Sequence, residues 1–413
     1  MGRRAIGEDG VEHRFEPMSR DPVLFISHDA RATGAPFLLL HLLRWLRANV
    51  KLDFEIVVAN TGPLQAQFAD LAPVVVFQEL SNSLVGRAAA SVGSYRVKRM
   101  TDELMLRYAL GRNRFALIYS NTLVNGALLE RTPDQKCPVV SHVHELERAI
   151  QRYTTPSSLS CTLRRTSQFI AGSRAVAKNL IDNHAVDPAK LEVVHEFIPI
   201  PRVESPESAA SKQRLRLELG ISEEAFVVGA AGTMDWRKGY DVFIPLALAV
   251  FRSRPQLDVQ FIWVGGAGDR NVPVDIEYDL QKLGIESRVH FVGHRHNYLD
   301  YMAIFDVFCL TSREDPFPLV VLEAASLEKP VLCFADAGGA PEFVENDCGF
   351  VIPYLDVTGM SKRIIELIEN LSLRNELGRH ARAKVLERHD VEVVAPRIVN
   401  IIERLLANRP DSQ

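Results

Sequence analysis

The sequence predicts an α/β protein with two doubly wound parallel sheets in tandem and a cleft between them. Short continuous apolar runs alternate with helix-length segments along most of the chain, as in strands that helices cover on both faces. The alternation is interrupted once, where Pro199, Pro201 and Pro206 follow one another closely, and it then resumes. A length of 413 residues also favours two domains, because one hydrophobic core rarely supports so long a chain.

The apolar runs before the prolines form the first series of predicted strands. The first run leads into a loop, His28 to Ala35, and then into an apolar-periodic segment from Pro36 that predicts a helix. Most later runs are likewise followed by turn or helical residues. The predicted strands are Pro22–Ser27, Phe54–Ala59, Val74–Phe77, Ala116–Ser120, Pro138–His142 and Gln168–Ala171.

A second series of strands follows a polar, charged helix over Glu207–Leu219. Two long amphipathic stretches, Thr358–Leu371 and Val391–Ala407, close the chain. The predicted strands of this series are Phe226–Ala231, Val259–Val264, Val289–Val292, Val307–Leu310, Pro330–Phe334 and Gly349–Ile352.

These patterns predict a domain organisation. A polar N-terminal stretch without sustained periodicity predicts a mobile tail, and the prolines predict a linker. The expected parts are a tail over 1–20, an N-terminal domain over 21–203, a C-terminal domain over 204–390 and a C-terminal helix within 391–413 that packs back on the N-terminal domain.

Composition excludes several classes of protein. Hydrophobic residues make up 47% and charged residues 24% of the chain, and the net charge of −4 gives no reason to expect nucleic acid as a partner. The five cysteines are scattered, so neither a disulfide framework nor a zinc site is indicated. The charged N-terminus lacks the apolar core of a signal peptide, and the longest apolar stretch, Phe37–Leu46, is interrupted by His41 and Arg44. We therefore expect a cytoplasmic protein.

The segment Thr311–Ser326 places two acids and two prolines before a predicted helix. Phe317 precedes a proline, which favours the extended backbone of an N-cap, and Pro318 suits the first helical position. The amides of Leu319 and Val320 would then be unsatisfied at the positive end of the helix, where an anion such as a diphosphate binds well.

Two acids accompany this predicted anion site. Glu323 lies one turn into the helix and leans back toward its start, where a carboxylate can accept two hydrogen bonds from the diol of a ribose. Asp315, just before the helix, could reach hydroxyls of a sugar on the far side of the phosphate. Two structural alternatives stay open: Glu323 extends to solvent, or Asp315 only caps a turn. A pair of hydrolase carboxylates is disfavoured, since nothing marks an acid on an opposite wall.

This segment resembles the hallmark of retaining glycosyltransferases of the GT-B fold, specifically glycosyltransferase family 4. Asp315 and Glu323 hold the two acid positions of the family phrase. Further resemblances are the loops Gly232–Gly239 (GTMDWRKG), Gly338–Glu342 (GGAPE) and Thr33–Ala35 (TGA), so that the likeness covers about residues 22 to 390. The resemblance implies two Rossmann-like doubly wound domains facing a central cleft, the N-terminal one binding an acceptor and the C-terminal one a nucleoside diphosphate sugar.

The resemblance also implies roles for the donor-side residues. Lys238 would neutralise the diphosphate leaving group with help from Arg237, without a metal or other cofactor, because preorganised cations and amides stabilise the charge that develops on that group. Three positions depart from the family pattern: the first acid is Asp, Pro318 replaces a glycine, and Thr233 stands where many members have an arginine. The implied donor-binding set is Arg237, Lys238, Asp315, Phe317, Leu319, Val320 and Glu323.

A histidine after the strand at 138–142 is the implied acceptor-side residue. In the stretch His142–Glu145 (HVHE), family resemblance favours His144, which joins Lys238 and Asp315 as a catalytic candidate. The stretch could instead indicate metal binding, but the chain shows no H-E-x-x-H and no obvious further ligand cluster. The acceptor-binding set is His144, Gly34 and Ala35. Ser173 and Asn121 are weaker candidates, for which turn or cap duty serves as well.

Residues 87 to 114 carry seven basic side chains against two acids. Val97, Met100, Leu104 and Tyr108 recur at helical spacing within this stretch. A basic amphipathic helix can lie on an anionic membrane surface, which would suit a lipid-linked acceptor and a peripheral position at the inner face of the membrane. An ordinary packed helix with a solvated charged face explains the same pattern.

We therefore expect a glycosyltransferase that acts in polysaccharide or glycolipid assembly, with a saccharide or lipid-linked acceptor. A GT-B epimerase acting on a nucleotide sugar, or a non-catalytic nucleotide-sugar binding protein, would use the same donor half. A nicotinamide enzyme is disfavoured because Gly265–Gly268 lacks the third glycine of the dinucleotide fingerprint, Asn271 standing in its place, and no P-loop motif occurs.

Overall fold

A computed structural model describes residues 21–111, 114–132, 136–200, 206–267 and 272–407. The tail predicted at 1–20 lies outside the described residues, as do Arg112, Gly268 and Asn271. Within the described residues, no helix combines the length and the apolar character that crossing a bilayer requires.

The strands are short and mostly buried, as the continuous apolar runs predict. They are β1 (Val23–Ser27), β2 (Phe54–Val58), β3 (Val74–Val76), β4 (Leu117–Ser120), β5 (Val139–Val143), β6 (Gln168–Ala171), β7 (Leu191–Val193), β8 (Phe226–Ala231), β9 (Val259–Val264), β10 (Val289–Gly293), β11 (Val307–Leu310), β12 (Val331–Phe334) and β13 (Gly349–Ile352).

Helices separate most of these strands. They are α1 (Gly34–Asn49), α2 (Gln65–Ala69), α3 (Phe77–Ser81), α4 (Leu84–Ser91), α5 (Tyr95–Leu110), α6 (Gly126–Leu129), α7 (Glu147–Tyr153), α8 (Pro156–Arg165), α9 (Arg174–His184), α10 (Pro206–Glu218), α11 (Tyr240–Ser253), α12 (Val274–Leu283), α13 (Tyr298–Ala303), α14 (Leu319–Ser326), α15 (Ala340–Val344), α16 (Val357–Glu369), α17 (Leu371–Arg388) and α18 (Val391–Ala407).

Both sheets have doubly wound strand orders. The first sheet has the order β3-β2-β1-β4-β5-β6-β7 and the second the order β10-β9-β8-β11-β12-β13. In the second sheet β8 pairs in parallel with both β9 and β11, so the strand order reverses between β8 and β11. Ligands of open α/β sheets bind beyond the carboxyl ends of the strands at such a switch point. The prediction of two doubly wound parallel sheets is confirmed.

The second sheet is covered by apolar side chains on both faces. Along β8, Val228 and Ala230 point into one buried cluster and Val227 and Ala231 into the other, as the two-residue period of a strand requires. Helices α11 and α16 contribute to the first cluster, and α13 and α14 to the second.

The chain forms two compact units. One comprises residues up to His142, Thr155–Gln168 and residues from Ala395; the other comprises Val143–Thr154 and Phe169–Val394. The domain limits predicted at 203 and 390 stay a prediction. The sequence patterns identify neither β7 nor the eighteen-residue helix α17, whose apolar and charged residues show almost no helical periodicity.

Candidate active site

Helix α14 begins one residue later than the sequence predicts. Pro318, not Phe317, is the N-cap, with φ −74° and ψ 123°, and Leu319 is the first helical residue. The prediction that Pro318 opens the helix is therefore wrong: its ring fixes φ, but its ψ is extended, so it precedes the helix. The amides of Leu319 and Val320 still have no acceptor among the described residues, while the amide of Val321 donates to the carbonyl of Pro318 at 3.0 Å. The two predicted anion-binding donors are in place.

The loop after β8 carries the two cations. Asp235 accepts a hydrogen bond from the amide of Lys238 at 3.0 Å and so fixes a single helical turn over Trp236–Lys238. Gly239 follows with φ +71°, and a Cβ there would lie 2.0 Å from the carbonyl oxygen of Thr311. A glycine is therefore required for the loop after β8 to approach the loop after β11 this closely.

Lys238 and Asp315 meet at this approach. The Nζ atom of Lys238 lies 2.5 Å from Oδ2 of Asp315, and both side chains are largely buried. Ser312 Oγ donates to the same carboxylate oxygen at 3.2 Å, and the guanidinium of Arg237 lies 3.8 Å from Oδ1. The structure thus brings the predicted catalytic pair together at the switch point, with Arg237 beside it.

The loop after β12 holds the backbone of Asp315. The amide of Asp315 donates to the carbonyl of Ala337 at 2.7 Å, and the amide of Gly339 donates to the carbonyl of Asp315 at 3.1 Å. Gly338 has φ +127°, and a Cβ there would lie 1.9 Å from that carbonyl oxygen. The two glycines of the Gly338–Glu342 loop therefore serve close backbone packing against the acid.

Glu323 is held by a residue that the sequence reasoning missed. The hydroxyl of Tyr298, the first residue of α13, donates to Oε1 of Glu323 at 2.7 Å. Burial raises the pKa of Glu323 to about 7, and the Tyr298 hydrogen bond offsets part of that rise. Burial also raises the pKa of Tyr298, and the nearby carboxylate adds to this, so the phenol is the donor. No motif marks Tyr298, because its role depends on how α13 packs against α14.

Phe317 is buried against two imidazole rings. Its ring stacks on His389 at a centroid distance of 5.3 Å and an angle of 26°, and it lies 5.3 Å from the ring of His195. His195 in turn bonds Glu342 at 2.8 Å. This packing fixes the backbone that leads into α14, and donor binding by Phe317 stays a prediction.

Glu342 and Ser173 both act at the start of α9. The carboxylate of Glu342 accepts hydrogen bonds from the amides of Arg174 and Ala175, both at 2.8 Å, and these bonds with that of His195 lower the pKa of Glu342 although burial raises it. Ser173 is the N-cap and accepts from Val176. Ser173 therefore caps helix α9, which is one of the roles that the sequence left open for it.

His144 directly follows β5 and pairs with a second missed acid. Its Nδ1 atom lies 2.6 Å from Oε1 of Glu196, and both side chains are more than nine-tenths buried. Two residues further on, Leu146 lies close to Gly338, since a Cβ on that glycine would be 3.1 Å from Leu146 Cδ1. The segment that carries His144 thus packs against the loop that holds Asp315.

Gly34 and Ala35 begin α1 in the first compact unit. A Cβ added to Gly34 would meet nothing within 4 Å, so no steric demand of the fold requires this glycine. Asn121, after β4, donates its amide to the carbonyl of Ala35 at 2.7 Å. Asn121 therefore positions the start of α1, and acceptor binding by Gly34 and Ala35 stays a prediction.

The basic stretch forms two helices, α4 and α5, separated at Gly93 with φ +72°. Within α5, Asp102, Leu106 and Leu110 are buried. The apolar side chains on its other side are exposed instead, with Leu104 61% and Tyr108 90% accessible. Helix α5 therefore packs through Leu106 and Leu110 and leaves other apolar side chains exposed. The exposed apolar residues of this surface, called the α4–α5 surface below, are Leu84, Val85, Val92, Tyr95, Val97, Met100, Leu104 and Tyr108.

Comparisons with known proteins identify the family and the fold. The model for Glycosyl transferases group 1 matches residues 211–384, and the model for Glycosyltransferase Family 4 matches residues 34–202. The crystal structure of HepE from Anabaena in complex with UDP superposes with a TM-score of 0.73 and 25% identity, covering 93% of this chain and 100% of that chain. The fold and its motif loops define a GT-B glycosyltransferase. The chain belongs to glycosyltransferase family 4.

Curated relatives match a shorter part of the chain. The chain is 28% identical over 225 residues to N-acetyl-alpha-D-glucosaminyl L-malate synthase of Bacillus anthracis, covering 53% of this chain and 56% of that protein. It is 28% identical over 211 residues to a GDP-mannose-dependent phosphatidylinositol monomannoside mannosyltransferase of Corynebacterium glutamicum, covering 48% of this chain and 52% of that protein. The matched region thus spans about half the length of each relative.

Proposed function

We propose that this protein is a retaining, metal-independent glycosyltransferase that moves a hexose-type sugar from a nucleoside diphosphate donor to an acceptor hydroxyl. The observation that carries the proposal is the arrangement at the switch point of the second sheet. There Lys238 and Asp315 lie 2.5 Å apart, and the amides of Leu319 and Val320 have no acceptor among the described residues. The cation and the amides can bind the diphosphate of a sugar diphosphate, and the acid can accept hydrogen bonds from the hydroxyls of its sugar.

The donor diphosphate would bind the start of α14 and the two cations. The amides of Leu319 and Val320 supply donors at the positive end of the helix, and Lys238 and Arg237 supply charge. Glu323, held by Tyr298 at 2.7 Å, would accept hydrogen bonds from the ribose diol. Asp315 would bind hydroxyls of the transferred sugar once the diphosphate draws Lys238 toward itself.

The transfer breaks the bond between the anomeric carbon and the diphosphate, and a new bond forms between that carbon and the acceptor oxygen, whose proton passes to the departing diphosphate. Negative charge grows on the departing diphosphate as positive charge grows on the sugar ring. Lys238, Arg237 and the helix amides stabilise the first charge without reorganising. His144 would border the reacting carbon, and Gly34 and Ala35 would contribute to acceptor binding.

Relatives support a nucleotide sugar as the donor. HepE from Anabaena has been crystallised with UDP-glucose, and the Corynebacterium relative is GDP-mannose-dependent. For this chain, the proposed acceptor is a saccharide or a lipid-linked saccharide in polysaccharide or glycolipid assembly.

A thermal-shift screen against UDP-glucose, GDP-mannose and the corresponding free nucleotides tests the donor proposal. A ligand that binds the folded state with Kd one hundredth of its concentration stabilises that state by about 2.7 kcal/mol. A rise in melting temperature with one nucleotide sugar is expected, and none with any would contradict the proposal.

The product of that donor separates the alternatives. A transferase releases nucleoside diphosphate and needs an acceptor for full turnover. An epimerase would change the sugar of the bound donor with no acceptor present. A binding protein would show neither transfer nor slow donor hydrolysis.

We further propose that the α4–α5 surface contacts an anionic lipid surface. Seven large apolar side chains are exposed on two successive helices and an eighth, Val92, lies between them; Arg87, Arg96 and Arg114 are exposed in the same stretch. Apolar side chains favour the acyl boundary, and each basic residue near an anionic surface adds about 1 kcal/mol. Such contact would bring the enzyme to a lipid-linked acceptor.

Co-sedimentation with vesicles tests this surface. Recovery should be higher with phosphatidylserine-containing vesicles than with phosphatidylcholine alone, and Leu104→Asp should lower it. Leu217→Asp, at an exposed leucine of α10 with 74% accessibility, is the matched control and should bind like wild type. Equal recovery with neutral and anionic vesicles, or equal losses in both variants, would end the proposal.

A further inference from the structure

The bond between His144 and Glu196 is unusual in its burial. The His144 side chain is 8% exposed and the Glu196 side chain 4%. Because a carboxylate only accepts hydrogen bonds, Nδ1 of His144 must be the donor. Burial lowers the pKa of His144, but the charge and hydrogen bond of Glu196, with a contribution from Glu145, outweigh burial and raise it. The neutral ring therefore carries its proton on Nδ1, and Nε2 is its basic nitrogen.

Glu196 cannot easily turn away from this position. A Cβ on Gly172 would lie 2.1 Å from its Oε1 atom, so the carboxylate is packed against that backbone. The carbonyl of Glu196 accepts a hydrogen bond from Nδ1 of His389 at 2.8 Å, which holds the main chain. Its second oxygen, Oε2, is buried and has no hydrogen-bond partner among the described residues.

An acid held in this way costs stability. Removing a carboxylate from water is offset only when its oxygens are well paired, and here one of the two is not. The residue next to Glu196 connects this segment to the donor loop. His195 bonds Glu342 and contacts Phe317, which leads into α14. Glu196 therefore lies between the segment of His144 and the support of the donor loop.

We propose that Glu196 is a positioning residue that fixes the ring orientation and the Nδ1 proton of His144, so that Nε2 serves a sugar hydroxyl at the reacting centre. The inference rests on the proposed function, in which His144 borders that centre. Glu196 acts through the imidazole and need not touch the substrate. Carboxylate partners of this kind are known to orient functional histidines.

Histidine NMR of the ligand-free protein tests the pairing independently of activity. At a pH above the pKa of His144, where its ring is neutral, the His144 signals, assigned by their loss in His144→Ala, should show the Nδ1-protonated tautomer in wild type. Glu196→Gln should lower the pKa of His144, because the neutral amide no longer stabilises the imidazolium. A neutral ring protonated on Nε2, or an unchanged pKa, would overturn the proposal. So would a shift of these signals by added zinc with tight affinity, which would make the pair a metal site.

Kinetics test the consequence. With UDP-glucose as the donor and nucleoside diphosphate release as the readout, Glu196→Gln should lower kcat about tenfold to a hundredfold with donor KM nearly unchanged. His144→Ala should abolish the limb of the pH–rate profile that His144 causes. In Glu196→Gln the same limb should move to lower pH, because the pKa of His144 falls; this holds whichever protonation state of His144 is active. Glu196→Asp should restore part of the rate.

Two controls complete the test. Glu147→Gln removes the same charge from another acid–imidazole pair, with His184 at 2.8 Å, and should leave kcat and the pH limb unchanged. Adding Glu196→Gln to His144→Ala should cause no further loss of rate, and an additive loss would contradict a role through His144. If wild type neither binds nor turns over any nucleotide sugar of the thermal-shift screen, the proposed function fails, while the NMR result still decides the pairing.

Discussion

The two acids of the motif, Asp315 and Glu323, are held in opposite ways. Asp315 lies against a cation, with Lys238 Nζ at 2.5 Å and Arg237 at 3.8 Å. Glu323 has a neutral partner, the hydroxyl of Tyr298 at 2.7 Å, and burial raises its pKa to about 7. The same residue chemistry, eight positions apart, therefore meets a charged partner in one place and an uncharged one in the other.

The difference suggests that the two acids have different roles in donor binding. The carboxylate of Asp315 holds the Lys238 ammonium in place for an incoming diphosphate, which can then compete for it. A carboxylic acid that titrates near neutrality can bind a neutral diol, and its affinity depends on pH. Ligand binding near Asp315 should therefore depend on its ion pair with Lys238, and ligand binding near Glu323 on whether Glu323 is protonated.

The largest expected effect comes from breaking the charged pair. Lys238→Ala should lower turnover about 10²–10³-fold, because a preorganised cation is lost from the leaving group. It should also lower the free energy of unfolding by up to about 3 kcal/mol, since the buried Asp315 carboxylate loses its main partner. Initial rates and chemical denaturation measure the two effects.

A second substitution separates these two effects. Adding Asp315→Asn to Lys238→Ala removes the unpaired buried charge, so stability should largely recover while turnover stays low. Turnover of Lys238→Ala within tenfold of wild type would contradict the role given to the lysine.

A smaller effect is expected at Glu323. Donor affinity should rise with pH through about 7, as the ionised form becomes the better acceptor of the ribose hydroxyls. Glu323→Gln should weaken donor binding about tenfold to a hundredfold and abolish this dependence. Calorimetric titration of the donor between pH 6 and pH 8 measures both, and an unchanged pH dependence in the variant would exclude Glu323 as its source.

The raised pKa of Glu323 also makes stability depend on pH. Between the ordinary value of 4.5 and about 7, the unfolded state ionises while the folded state keeps its proton, so the free energy of unfolding falls as pH rises through this range. Above it, both states are ionised and the contribution is constant. Comparing denaturation midpoints of wild type and Glu323→Gln across this range isolates the effect, and parallel curves would contradict it.

The smallest expected effect is that of Tyr298→Phe. Losing the phenol removes a hydrogen bond to the ionised form, so the pKa of Glu323 should rise further and the limb of donor affinity should move to higher pH. Well above the limb, affinity should fall only about threefold to tenfold, in line with one ordinary hydrogen bond. Tyr301→Phe, on the same helix and bonded to Arg295 at 3.1 Å, should leave the limb in place. A shift in both variants would indicate a general loosening of α13.

At this site, the features that the sequence predicts are those set by residues close to one another in the chain. Lys238 and Asp315 lie in loops whose glycines and prolines are visible in the sequence, and Leu319 and Val320 begin the helix that follows the second loop, so the sequence predicts that they share one site. The sequence predicts the start of α14 one residue too early, because Pro318 fixes φ but leaves ψ to its surroundings. Tyr298 and Glu196 carry no motif, since each acts through one contact with a residue distant in the chain.

By itself, the sequence determined the two doubly wound sheets and the loops that carry charge beyond their strands, because buried parallel strands need continuous apolar runs and close loop approaches need glycine. Only the tertiary structure decided the partners of each acid and imidazole, and the outward direction of the apolar residues on α5. The physical reason is that burial and pairing of a side chain depend on what packs against it from remote segments, and local periodicity does not encode that choice.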